Sequence, residues 1–296
     1  MTKENETNLV IPFADGSAPV LSARGEVPCA LLRLLGKRLG LECSAEEVTD
    51  KPFLRIFDGP GTEEGFLPWE GVMPCPGEFQ VSLEPFRIRL NLLSDEFAKR
   101  KWMRVAMIRR CLYLTIISRM LSGNLSMMHG TLLNLPDSRN AALLFGTSGV
   151  GKSTIGKRFT AQGGYCPADD MSVLTFLPDG RLVAQPSPTW SALDLSMRGF
   201  HVQFTEQYEV KALLHQLRGE DDKIIPEEQI NWRLALVNGI AEFMTFPANW
   251  LDIRVYRMVM EANGAFVRKC LERFAPHSVM GDLNGHILQN LTEFLA

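Results

Sequence analysis

The sequence lacks several features that would mark particular classes of protein. No apolar run reaches the roughly 20 residues needed to span a bilayer, and the best candidate, Cys111 to Ser118, is closed by Arg110 and Arg119. Charge of one sign is missing as well: 31 Lys+Arg stand against 34 Asp+Glu, a net of -3. Such a balance gives no general attraction for nucleic acid or anionic lipid, so partners without nucleic acid or membrane are expected. Cysteine is sparse, with six residues and no C-x-x-C pair, which argues against a zinc site or a disulfide framework and for buried thiols. The five histidines show no H-x-x-x-H or H-E-x-x-H spacing, so two ligands are not set on one helical face. The stretch Met1 to Asn8 is polar and carries acids, unlike a targeting peptide, and a cytoplasmic location is the expectation.

What is present is an ordinary globular composition, 46% hydrophobic over 296 residues. The fold class expected is α/β (α+β), with an accessory domain over residues 1–93 and a main domain over 94–296. Residues 1–27 read as mostly polar, and Ala30 to Leu41 as the first helix. Phe53 to Phe57 and the alternating Phe86 to Leu92 read as strands on either side of a Gly/Pro-rich loop. This front third offers strands, loops and unpaired charges, and no phosphate chemistry. Its expected role is recognition of the acceptor.

Ser94, with Asp95 and Glu96 behind it, suits a helix start, and the helix should run to about Leu121. Its basic residues, Lys99, Arg100, Lys101, Arg104, Arg109 and Arg110, interleave with apolar ones and read as a solvated face. Met127 to Leu135 and Ala141 to Phe145 form a hairpin about Pro136 to Asn140, and Met171 to Leu177 with Arg181 to Gln185 form another. From about Gln203 the pattern reads as mainly helical, ending in amphipathic stretches at Tyr256 to Phe274 and Ser278 to Leu295.

The most specific signal is Gly146-Thr147-Ser148-Gly149-Val150-Gly151-Lys152-Ser153, which satisfies G-x-x-x-x-G-K-[ST], with an apolar strand before it and a helical run behind. Glycines let the backbone turn its N–H groups inward, and the following helix adds the positive end of its dipole, so polyphosphate is the natural ligand. Lys152 would neutralise the β- and γ-phosphates, Ser153 would coordinate Mg²⁺, and ATP with Mg²⁺ is the expected pair. P-loop proteins also need a carboxylate at the tip of a second strand, and Ala168-Asp169-Asp170 closes a segment long enough for a helix, a glycine turn and one returning strand.

Together, His129-Gly130, Gly146 to Thr154 and Gly163-Gly164-Tyr165-Cys166-Pro167-Ala168-Asp169-Asp170 resemble the catalytic core of HPr kinase/phosphorylase, in the P-loop branch shared with phosphoenolpyruvate carboxykinases. The match is close from Met128 to Asp170 and loose beyond. It implies a P-loop core with a mixed sheet and C-terminal helices, and transfer of the ATP γ-phosphate to a Ser/Thr hydroxyl of a protein or peptide. The family pattern implies Asp169 as the base, Asp170 as a metal-shell carboxylate beside Ser153, and His129 as a polar partner near the reacting groups. Thr154 stands where the family usually has an acid, and its C-terminal acid-R-G signature has only an echo in Asp194 to Gly199. Neither phosphorylase activity nor HPr as acceptor therefore follows. Pro188-Thr189-Trp190-Ser191 and the unlike front third are more similar to HPr-kinase-like proteins of peptide-modification gene clusters, the SynChlorMet cassette type among them.

Two other readings use the same loop: a small-molecule kinase, or a regulatory module that binds nucleotide without transfer. An ABC-type ATPase is disfavoured because there is no L-S-G-G-Q segment. Self-association is left open.

Overall fold

The computed structural model describes residues 6–46, 52–71, 77–93, 101–187, 204–219, 222–245, 247–281 and 285–295. The expected helix start at Ser94, the Pro188 to Ser191 segment and Asp194 to Gly199 lie outside these. The chain is a mixed α/β protein of the α+β class, with two mixed sheets and six α-helices among the described residues. It divides into two compact units. One takes in the described residues up to Arg119 together with Pro247–Val259, and the other takes in the rest. No helix among the described residues is long and apolar enough to cross a membrane.

In the first unit, strands β1 (Glu6–Val10), β2 (Val20–Arg24), β3 (Cys43–Ser44), β4 (Leu54–Asp58), β5 (Leu67–Pro68), β6 (Gly77–Leu83) and β7 (Phe86–Leu92) form one sheet in the order β3-β1-β2-β4-β7-β6-β5. The helix α1 (Glu26–Leu39) carries the chain from β2 to its parallel neighbour β4. The sequence did not announce β1 and β2. Their inward positions include Thr7, Asn8 and Ser22, which are buried, so the polar texture hid a strand pair that register alone defines.

The helix α2 is described from Lys101 to Met120. The solvated-face reading of its basic residues fails at Arg110, which is 4% exposed and has its guanidinium 5.6 Å from the Trp250 ring. Burial also lowers the Arg109 pKa to about 10. The long aliphatic stems of these arginines let them pack where a sequence pattern expects solvent.

The second unit is built on β8 (Leu125–Asn134), β9 (Asn140–Phe145), β10 (Tyr165–Ala168), β11 (Met171–Phe176), β12 (Leu182–Pro186), β13 (Tyr208–Arg218), β14 (Lys223–Pro226) and β15 (His277–Gly281). Both expected hairpins form, β8 with β9 and β11 with β12. The central strand β9 runs parallel to β13, which in turn runs parallel to β15.

Strand β9 is buried on both faces. Leu143 and Phe145 face one core with Trp232, Leu236 and Phe266, while Ala142 and Leu144 face another with Ile155, Phe159 and Leu291. Helices α3 (Lys152–Ala161), α4 (Gln229–Thr245), α5 (Ile253–Arg273) and α6 (Ile287–Leu295) supply those outer layers. The mainly helical expectation beyond Gln203 is corrected by β13, β14 and β15. Residues such as Ala212-Leu213-Leu214-His215-Gln216 favour helices in isolation, but pairing on both edges and burial on both faces select the strand.

Candidate functional site

The loop between β9 and α3 has the conformation its glycines permit. Gly146, Gly149 and Gly151 sit at φ of 151°, 78° and 111°, where a side chain would be strained. Around Gly149 and Gly151 a Cβ would meet nothing within 4 Å, so backbone conformation and not close packing calls for glycine at both positions. Gly151 caps α3 without a side-chain hydrogen bond, which leaves the first-turn N–H groups for a ligand.

Lys152 is 6% exposed, and its Nζ donates to the Gly146 carbonyl at 2.7 Å and the Thr147 carbonyl at 3.1 Å. Burial lowers its pKa, and the carboxylates of Glu242 and Asp170 oppose that shift. The loop's outer edge is tied to β13 by Arg218, whose Nη2 donates to the Gly149 carbonyl at 3.1 Å. Thr147, Ser148, Ser153 and Thr154 are exposed, and Val150 is half-buried.

The topology brings a second set of groups to the same end of the sheet. Strand β8 runs antiparallel to β9, with Gly130 opposite Phe145, so His129 stands level with the start of the loop. On its other edge β8 pairs with β10 and then with β11, and the chain bends at Asp169 and Asp170 between them. That bend is pinned by two hydrogen bonds, from Gly130 N to the Asp170 carbonyl at 2.8 Å and from Thr131 Oγ1 to the Asp169 carbonyl at 3.2 Å. Gly130 must lack a side chain here, since a Cβ would lie 2.5 Å from the Leu144 carbonyl oxygen.

His129 Nε2 lies 3.0 Å from Asp170 Oδ1, and its Nδ1 lies 2.5 Å from Glu242 Oε2. The Asp170 hydrogen bond is the largest influence on the imidazole. Together with Glu242 it raises the pKa above the usual histidine value, against burial and the Lys152 charge. His129, Lys152 and Asp170 are therefore brought together as one electrostatic group. Asp169 is exposed, and its carboxylate is not part of that group.

Glu242 was not anticipated. It lies on α4, far along the chain, and its signal was slight: the only acid in the mainly apolar stretch from Trp232 to Thr245. The close approach of α4 to β8 and β9 passes through Gly239, whose missing Cβ would lie 3.6 Å from Met128 Cγ and Phe145 Cβ.

Beside the first half of the loop lies an open cavity of about 730 Å³, in the range of small-ligand sites. Gly146, Thr147 and Ser148 form one wall, and α4 forms another through Asn231, Leu234, Asn238 and Glu242. His215 closes the floor, stacked on Phe145 at 5.8 Å and hydrogen-bonded through Nδ1 to Glu227 at 2.9 Å.

Among the described residues no group of three or more His, Cys, Asp or Glu side chains could hold a metal by itself. That is compatible with Mg²⁺, which is usually shared between substrate phosphates and one or two protein oxygens. The exposed Ser153 hydroxyl and the Asp pair offer hard oxygen donors of that kind. Cys166 and Cys270 are unsuited to metal or nucleophilic chemistry, since burial raises both thiols, Cys166 to about 12. No protein-family model matches this chain, and no curated protein matches it.

Proposed function

We propose that the chain is an ATP-dependent kinase with a P-loop core of the HPr kinase/phosphoenolpyruvate carboxykinase type, acting on a Ser/Thr hydroxyl of a protein or peptide. The observation that carries this reading is the convergence of Lys152, His129 and Asp170 at the open side of the glycine loop. A polyphosphate would take over the Lys152 ammonium from the two loop carbonyls, exchanging neutral acceptors for charged ones. The loop N–H groups and the start of α3 would hold the remaining phosphate oxygens.

The geometry favours one change to the roles the family pattern implies. Asp170 is held by His129, acts on Lys152 and is partly exposed, so it is the acid best placed to receive the acceptor proton. In the transfer, the acceptor oxygen bonds to the γ-phosphorus as the bridging β–γ oxygen leaves with ADP, and the hydroxyl proton passes to the Asp170 carboxylate. His129 orients that carboxylate through Nε2. Ser153 and Asp169 would hold Mg²⁺, which when bound neutralises phosphate charge.

Calorimetry with Mg-ATP tests the nucleotide half of the proposal. Lys152→Ala should weaken binding at least about tenfold, by leaving phosphate charge uncompensated in a site shaped for it. Equal affinity in wild type and variant would remove the loop from the mechanism. Asp169→Asn should raise the Mg²⁺ concentration needed for half-maximal transfer and leave binding of nucleotide within a few fold.

A further inference from the structure

Helix α4 should be apolar on one face only, yet it is apolar nearly all round, a pattern expected of a helix covered on every side. Trp232, Leu236, Ile240 and Phe243 are buried beneath it. On its solvent side Ile230 and Leu234 are 66% and 58% exposed, and Val237 continues the stripe at i, i+4, i+7. One flank of that stripe is the cavity wall already described. There Asn231, Asn238 and Glu242 follow one another along the helix beside Leu234, and the row ends at the glycine loop.

We propose that this flank is the acceptor groove and that it takes an extended peptide, a reading that rests on the kinase proposal above. The peptide's reactive Ser or Thr lies at the Glu242 end, an apolar side chain lies over Leu234, and a basic side chain lies at the outer end by Glu228. Three features of the groove select that occupant.

The first is the row of amides. An asparagine offers a donor and an acceptor together, the complement of a peptide backbone. Asn231 and Asn238 are separated by about 10 Å of helix rise, the length of about three residues of extended chain. The second is apolar continuity. The stripe reaches the cavity through Leu234 without a charged break on this flank, because Arg233 lies on the stripe's other flank, where with Val237 it lines a separate groove beside Met260 and Arg268. The third is charge. Glu227 is already held by His215, whereas Glu228 is exposed at the outer end, accepting from Asn231 Nδ2 at 3.3 Å. A triphosphate lying along this flank would meet Glu227, Glu228 and Glu242, whereas a basic peptide side chain meets Glu228 favourably.

Distances along the helix make the proposal specific. From Glu242 the rise is about 12 Å to Leu234 and about 21 Å to Glu228, or roughly four and six residues, two positions that share one face of an extended chain. A serine peptide library with one fixed position at a time, incubated with full-length protein and γ-labelled ATP, reads this directly. Wild type should prefer Leu, Ile or Met about four positions from the serine. At about six positions, on the same side, it should prefer Lys or Arg at least about fivefold over Asp or Glu.

Glu228→Lys should reverse the outer preference towards acidic residues, a gain that unfolding cannot mimic. Leu234→Asp should lower phosphorylation of the preferred peptides at least about tenfold and leave Mg-ATP affinity, measured by calorimetry, unchanged. The groove assignment is overturned by a wild type without positional preference, by a Glu228→Lys profile identical to wild type, or by phosphorylation of small hydroxyl compounds in place of every peptide. Failure of wild type to bind Mg-ATP in the calorimetric arm would instead bring down the kinase reading itself, and the groove with it.

Discussion

The two units use charge differently. In the first, charged side chains are consumed in holding loops and segments in place. Glu63 receives Arg55 Nη1 at 2.8 Å and Arg89 Nη1 at 3.2 Å, and the Arg89 guanidinium also stacks 3.9 Å over the Phe57 ring. These are the charges that the sequence suggested were unpaired. Asp252 accepts from Glu70 N at 2.8 Å and from Arg254 N at 2.9 Å and Nη2 at 2.6 Å, which fastens the segment Pro247–Val259 to the β5 side of the sheet. The second unit has a structural pair as well, Arg158 with Asp222, but there Lys152, His129, Asp170 and Glu242 also gather at one sheet end, where the two carboxylates act on the charges of His129 and Lys152. Charge in the first unit satisfies its own partners and stabilises a fold. In the second it is held close to an open loop, the arrangement expected where a ligand completes the set.

The sharpest test of that contrast is Asp170→Asn. Volume and hydrogen-bonding reach are nearly kept, so stability and Mg-ATP affinity should stay close to wild type while phosphorylation of an acceptor falls at least about 10²-fold. Single-turnover transfer beside calorimetry measures both. Normal transfer by the variant would return Asp170 to a structural role and erase the difference between the units.

Asp252→Ala should show the opposite profile, with Mg-ATP affinity unchanged and unfolding in urea easier by about 2 to 3 kcal/mol, since a buried acceptor of charged and backbone donors is lost. The acid dependence of wild type belongs to the same prediction. Burial pushes the Asp252 carboxyl up, but the hydrogen bonds from Arg254 and Glu70 outweigh it, and the folded pKa lies below the ordinary 3.8. Its contribution is therefore present above pH 3.8 and lost as pH falls through the lower folded value. Asp252→Ala should remove that part of the acid sensitivity. An unfolding midpoint equal to wild type at neutral pH would show that these hydrogen bonds fasten nothing.

How the site is held, as distinct from what it does, is tested at two glycines. Gly130→Ala forces a Cβ against the Leu144 carbonyl and should cost about 1 to 3 kcal/mol, with loss of transfer as His129 shifts. Gly239→Ala, by contrast, meets Met128 and Phe145 at ordinary contact distance in mid-helix and should leave stability unchanged or raise it by up to about 1 kcal/mol. The thermal unfolding midpoint should fall for Gly130→Ala and should hold or rise for Gly239→Ala. A matching loss in both would mean that α4 packs on β8 more tightly than the distances imply.

These glycines also explain what was legible in the sequence. The loop and its helix are specified locally, because Gly146, Gly149 and Gly151 adopt positive φ and α3 begins at once behind them, so the motif alone located both. The hairpins about Pro136 to Asn140 and Pro178 to Gly180 were legible for the same reason. Strand β13 was not, since its identity depends on β9 and β15 pairing with it from distant parts of the chain. Nor was Glu242 legible, as a lone acid on an apolar helix has no partner until the fold brings His129 to 2.5 Å. The site was half legible: the glycine loop was specified by local geometry, and the groups that surround His129 were specified by topology.

The smallest expected effect concerns His129, and it separates the two uses of charge within one residue. With nucleotide and metal absent, the carboxylates of Asp170 and Glu242 favour the imidazolium, while burial and the Lys152 ammonium disfavour it, and the net shift is upward. A histidine whose folded pKa exceeds its unfolded value contributes stability fully below the unfolded value, about 6.5, and loses it as pH rises through the folded one. One proton limits the slope to about 1.4 kcal/mol per pH unit. Urea unfolding followed from pH 6 upward in a chelator should therefore show wild type losing stability across that window, with His129→Gln flatter. Saturating nucleotide should change the wild-type slope, because phosphate charge near Lys152 alters the field on the imidazole. The paired acids act as structural ballast if wild type and His129→Gln show the same pH slope with and without nucleotide, and the second unit would then use its charge as the first does.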